Sequence, residues 1–217
     1  MQKIVEPLIL GEARQYGLLD DDYRYVLDLG LLKEHNGRLV PTNPIYEEVI
    51  VSGLTDHIQD RLTDISSSQK MLAPSDGDRL DMRRVLTDFQ QFWREHSEIW
   101  RERFQYKEAA PHLVLMAFLQ KIAGKDSFIT REMASGRGRL DICVQRGDIR
   151  HPIEIKIRRD NKTIGEGKKQ LTAYMETLGC REGWLVVFDQ RKKPSWKSKL
   201  FWKTETVDEK VVHIVGC

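Results

Sequence analysis

The 217 residues suffice for one sizeable core or two small ones, and an apolar share of 40% favours a globular chain over a disordered one. Lys and Arg number 35 against 33 Asp and Glu, and the net charge of +2 is too small to argue by itself for a nucleic-acid partner. Cys143, Cys180 and Cys217 are odd in number, far apart and without metal-ligand spacing, which speaks against a disulfide framework or zinc site and for a reduced, cytoplasmic setting. The start lacks the charged-then-apolar layout of a leader, and no apolar run approaches the ~18 residues of a membrane span, so the expectation is a soluble protein with no membrane partner.

The first predicted element is a helix over "DDYRYVLDLGLL", residues 21 to 32, with acidic residues at its start and apolar ones at helical spacing. "LLKEHNGRLVPTNPIYEEVI" then predicts a short strand, an Asn36-Gly37 turn, a second strand and a helix opened by Thr42-Asn43-Pro44. Helix, two-stranded wing, helix outlines a winged-helix-like segment over residues 1–55, and such short pieces pack against neighbouring domains as well as on DNA. A helical connector follows over 56–105, broken by "APSDGD" at 73 to 78. Beyond the break Met82, Val85, Leu86, Phe89, Trp93, Trp100 and Phe104 recur at helical intervals, an aromatic stripe that predicts a packing face.

Residues 106–217 predict an α/β domain with a mixed sheet. "KEAAPHLVLMAFLQKIA" reads as a helix with Leu113, Met116, Leu119 and Ile122 inward, and "DSFITREM", "GRLDICVQ" and "HPIEIKIR" read as three strands. "TIGEGKKQLTAYMETLG" predicts a helix with Leu171, Tyr174, Met175 and Leu178 on one face, then "GWLVVFD" a buried strand. The tail predicts a hairpin turning at Asp208-Glu209 that finishes the sheet. Charge is uneven here: Val144 to Lys203 holds 15 Lys or Arg against 7 Asp or Glu.

The second and third strands carry the chemistry. With Gly147-Asp148 as the central residues of a II′ turn, Arg146 pairs with Ile149 and Asp141 falls opposite Glu154. Alternation then sets Leu140, Ile142 and Val144 on one face with Ile153, Ile155 and Ile157, and Asp141, Glu154 and Lys156 on the other. The expectation is one core face and one charged face. Two carboxylates across a ladder repel by roughly 3 kcal/mol at an effective dielectric of about 20, so a cation is expected beside them. A hard divalent metal and Lys156 are both candidates, and both together make a phosphodiester-cutting centre. A plain charge cluster, neutralised by its own lysine, is the alternative.

From Tyr106 to Asp189 the sequence resembles the PD-(D/E)XK nuclease superfamily, whose core is helix, three strands, helix, strand. The signature is Leu140-Asp141 followed by Glu154-Ile155-Lys156. It resembles in particular the nuclease-like domains that follow AAA+ ATPase modules, where "GRGRLD" and a Gln in the next helix recur; "GKKQLTAYM" supplies Gln170, and "DLGLLKEHNGRLVPTNPIYEEVI" looks like the winged-helix tail of such ATPases. The resemblance implies a restriction-endonuclease-like fold, with Mg²⁺ or Mn²⁺ held by Asp141, Glu154 and the Ile155 backbone carbonyl. Lys156 would serve the attacking water or transition state, and Gln170 would steady the site. Glu108 is the positional match for an acid that the family often adds from its first helix. No G-x-x-x-x-G-K-[ST] loop occurs in these residues, so an ATPase module would be a partner in cis or in trans and this chain the C-terminal part of a longer protein.

Arg137 and Arg139 would hold nucleic-acid phosphates beside such a centre or pair with a nearby acid such as Glu132. Lys192 and Lys193 lie in the basic loop "QRKKPSWKSK", suited to tracking a nucleic-acid backbone. The leading expectation is therefore a metal-dependent nuclease acting on DNA rather than RNA, with a homo-oligomer compatible. The alternatives are a catalytically inactive nuclease-fold module for DNA binding or partner docking, and a DNA-binding regulator led by the winged helix.

Overall fold

The computed structural model describes residues 4, 21–35, 38–42, 53, 55, 58, 80–98, 109–123, 127–130, 141–191 and 194–217. The chain divides into two compact units: Met1–Ser68 with Glu98–Ala117 and Met133–Arg137, and Gln69–Ser97 with Phe118–Glu132 and Gly138–Cys217. No helix among the described residues is long and apolar enough to cross a membrane.

In the first unit, helix α1 (Asp21–Asp28) opens on two acids that suit a helix N-terminus. It packs Tyr23 and Val26 with Ile4 and Leu32 in a small apolar cluster. Strands β1 (Leu32–His35) and β2 (Arg38–Pro41) are antiparallel with His35 opposite Arg38. The turn residues and the helix expected after Thr42 lie outside the described residues.

The second unit is built on a six-stranded mixed sheet flanked by helices. Its strands are β3 (Ser127–Thr130), β4 (Ile142–Arg146), β5 (Ile149–Arg158), β6 (Glu182–Asp189), β7 (Phe201–Val207) and β8 (Lys210–Gly216), in spatial order β3-β4-β5-β6-β8-β7. Helix α2 is Met82–Glu98, α4 is Thr163–Leu178 and α5 is the short turn Trp196–Lys199; of α3, Ala110–Ala123, residues 118–123 belong to this unit. β3, β4 and β5 are antiparallel neighbours, whereas β5–β6 and β6–β8 are parallel. A parallel pair needs a crossover, and α4 supplies it between β5 and β6.

α2 starts where the Asp81 carboxylate accepts the Arg84 N–H at 3.0 Å. Its expected stripe is buried at Met82, Val85, Leu86, Phe89 and Trp93, joined by Phe92; Trp100 and Phe104 lie outside the described residues. Phe89 and Trp93 meet Phe188 of β6 edge-on, at 6.0 and 4.8 Å between centroids. This places α2 on the sheet face of Phe188. The other face holds Cys143, Leu185, Val187, Val212 and Ile214 against Leu171 and Met175 of α4.

The hairpin register is the expected one. Arg146 pairs with Ile149 and Ile142 with Ile153, and Gly147 takes φ +57°, which a II′ turn requires at its first central residue. The face of Asp141, Glu154 and Lys156, expected to be a charged face opposite a core face, carries its charges half-covered: Glu154 is buried, and Asp141 and Lys156 are partly exposed. It is the face that α4 covers, because a central strand with a parallel neighbour has helices packed on both sides.

The tail hairpin turns at Asp208 and Glu209, both at positive φ (49° and 61°), the signature of an I′ turn. Left-handed backbone costs an ordinary L-residue about 1–2 kcal/mol. Glu209→Gly is therefore expected to raise stability by about 0.5–1 kcal/mol, seen as a higher urea midpoint at unchanged slope.

Candidate functional site

β5 brings the predicted residues together. Register pairs Glu154 with Leu185 and Lys156 with Val187, so all four side chains face α4. Gly167 of α4 sits directly over them: a Cβ there would stand 2.7 Å from Leu185 Cδ1 and 3.0 Å from Lys156 Cγ. The missing side chain lets the helix approach Lys156 and Leu185 closely, on the face where Glu154 is 1% exposed.

Glu154 Oε1 lies 2.6 Å from Lys156 Nζ, while its buried Oε2 has no hydrogen-bond partner among the described residues. Burial pushes the Glu154 carboxyl up to about 8; the Asp141 charge adds to this and Lys156 works against it. Asp141 stands one residue beyond the last ladder pair, Ile142 with Ile153, and its Oδ2 accepts the Ile155 N–H at 2.6 Å. The Asp141 side chain thus takes up the Ile155 N–H on the β4 side of the strand. Since the N–H and C=O of one strand residue point to the same edge, the Ile155 carbonyl faces that edge too. The Asp141 and Glu154 carboxylates, the latter with its Oε2 left over, and the Ile155 carbonyl form a donor set suited to a hard cation.

Gln170 occupies the α4 face of Gly167 and Leu171, and its Oε1 is also buried with no hydrogen-bond partner among the described residues. Glu108, Arg137, Arg139, Lys192 and Lys193 lie outside the described residues. Among the described residues no group of three or more His, Cys, Asp or Glu side chains is placed to hold a metal.

A second charged cluster, unread in the sequence, continues the same face. Arg158 pairs in register with Asp189, two residues beyond Lys156 and Val187. The buried Asp189 carboxylate accepts the Arg191 Nε–H at 3.0 Å (Oδ1) and Nη2–H at 2.7 Å (Oδ2), with Arg158 Nη1 3.8 Å from Oδ2. Burial would raise its pKa, but the arginines win and hold Asp189 below the usual carboxylate range. The available signal was strand parity, which carries Glu154 and Lys156 on to Arg158, and an acid closing the apolar run "GWLVVFD".

Fold and cluster together define a mixed α/β protein with helices on both faces of its sheet and a buried acid–lysine centre on the middle strand. Residues 85–192 match the profile of a family described as a domain of unknown function (DUF8371), a span that contains Asp141, Glu154, Lys156, Gln170 and Asp189. No curated protein and no solved structure matches the chain.

Proposed function

We propose that this chain carries a metal-dependent nuclease of the PD-(D/E)XK type, on a restriction-endonuclease-like sheet, hydrolysing phosphodiester bonds in DNA in preference to RNA. The observation that carries the reading is the partnerless Oε2 of buried Glu154, set beside Asp141 and Lys156 on the central strand. A buried carboxylate with one oxygen unsatisfied is costly unless a proton or a second cation joins it. Bound Mg²⁺ or Mn²⁺ would supply Lewis acidity and a water of lowered pKa. Asp141, Glu154 and the Ile155 carbonyl would hold it, with Glu108 as a further ligand. Lys156, its ammonium oriented by Glu154, would offset negative charge building on the phosphate in the transition state. Gln170 would present its amide to the centre from α4, which keeps Glu154 out of water. Arg137, Arg139, Lys192 and Lys193 would hold the nucleic-acid backbone. The helix and two-stranded sheet of the first unit would be the winged-helix-like segment joining the domain to an ATPase module in cis or in trans.

One observation favours a second reading, an inactive nuclease fold kept for DNA binding or docking: Lys156 Nζ already occupies one oxygen of Glu154 at 2.6 Å. A cleavage assay on single- and double-stranded DNA and RNA with Mg²⁺, Mn²⁺ or EDTA decides between them. The expected result is metal-dependent cutting of DNA that Glu154→Ala or Lys156→Ala lowers by about 10²–10³-fold, the range for removing a transition-state stabiliser. Cutting by either variant at the wild-type rate would sink the nuclease reading.

A further inference from the structure

We infer that Arg158 and Arg191, seated on buried Asp189, form a phosphate anchor for the nucleic-acid strand adjacent to the Glu154–Lys156 centre. The inference rests on the nucleic-acid reading above and extends it to residues with no assigned role. Its first support is stoichiometry of charge. One buried carboxylate needs one cation, yet two guanidinium groups converge on Asp189.

Geometry supplies the second support. Asp189 takes only the Nε and Nη2 edge of Arg191, whose side chain is 28% exposed, so the rest of a five-donor fork remains for another anion. Arg158 is held by long contacts: 3.8 Å to Asp189, 3.3 Å from Nε to the Asp160 carbonyl and 3.4 Å from Nη2 to Asn161 Oδ1. A phosphate with shorter charge-assisted bonds outcompetes such contacts. The Asp160 carboxylate turns its Oδ1 to the Lys162 and Thr163 N–H groups and the Thr163 hydroxyl.

Position is the third. Arg158 follows Lys156 by two residues on one strand face, about 6.6 Å along β5, at the carboxyl ends of the parallel strands where open α/β sheets bind ligands. In sequence, 158–162 and 189–193 together hold six basic residues against two acidic ones. Asp189 acts here as a positioning residue, fixing both forks before the strand arrives.

The test is fluorescence anisotropy of the full chain with a short labelled duplex DNA in EDTA, across a salt series. Wild type and Phe128→Ala, a neutral change at an exposed residue of edge strand β3, should bind alike. Arg158→Gln, and Asp189→Asn combined with Arg191→Gln so that no charge is left buried and unpaired, should each reduce the salt slope by about one and weaken binding about tenfold at about 0.1 M salt, whatever the DNA sequence. Melting curves establish that each variant is folded. Folded variants with unchanged slope and affinity overturn the inference. Should wild type cut nothing with any metal while binding still depends on the arginines, the nuclease reading fails and the anchor stands.

Discussion

In EDTA above about pH 8, Glu154→Gln is expected to be more stable than wild type, by an amount on the order of several kcal/mol, with the difference vanishing towards about pH 4.5. The sign follows from the buried carboxyl. Its folded pKa of about 8 lies above the ordinary 4.5, because burial and the Asp141 charge together outweigh the attraction of Lys156. Between these values the native state binds more protons than the unfolded chain, so wild-type stability falls as pH rises through the window and levels off above it. A glutamine keeps the shape and has no charge to desolvate, so its stability lacks that slope. Under the proposed function, Mg²⁺ or Mn²⁺ reverses the comparison: it binds the ionised site, raises the wild-type melting temperature with rising pH, and does nothing for Glu154→Gln. Thermal denaturation across pH, with and without metal, reads all of this. A wild-type curve flat with pH, and equal to the variant throughout, would exclude a desolvated Glu154.

Phe89→Ala is expected to cost about 3–5 kcal/mol, the range for emptying an aromatic from a closed core. The Phe89 ring is 0% exposed and touches Phe118 edge-on at 5.1 Å and Phe188 at 6.0 Å, with Trp93 at 6.2 Å and Phe92 at 6.4 Å. It therefore ties α2 and the end of α3 to β6, and none of these rigid elements can collapse into the space it leaves. Urea denaturation checks the value. Phe128→Ala is the control: 71% exposed on edge strand β3, it should change stability by no more than about 0.5 kcal/mol. A comparable loss at both positions would mean that Phe89 is no hub. Because β6 lies beside β5, loosening this face should also weaken the proposed centre, and cleavage by Phe89→Ala should fall well before the variant unfolds.

Much of the second unit was legible in the residues because its signals are local. Periodicity located α2 and α4, turn chemistry set the Gly147 hairpin to the residue, and period-two alternation brought Asp141, Glu154 and Lys156 to one face. Two adjacent positive-φ residues at the tail turn likewise follow from where the two strands end. Alternation could not say what lies above a face. A strand with polar residues on one side reads as half-solvated, and only the β5–α4–β6 crossover shows that Glu154 is buried while Lys156 threads beneath Gly167.

The sequence by itself therefore determined the elements, the hairpin register and the company of the acid pair and lysine, since each depends on neighbours a few residues apart. Tertiary structure alone decided the environment of those groups: the burial that pushes Glu154 up, the oxygen left without a partner, and the meeting of Arg158 with Asp189 across 31 positions of chain. Desolvation and long-range ion pairs depend on which surfaces the fold closes, and that is a property of packing.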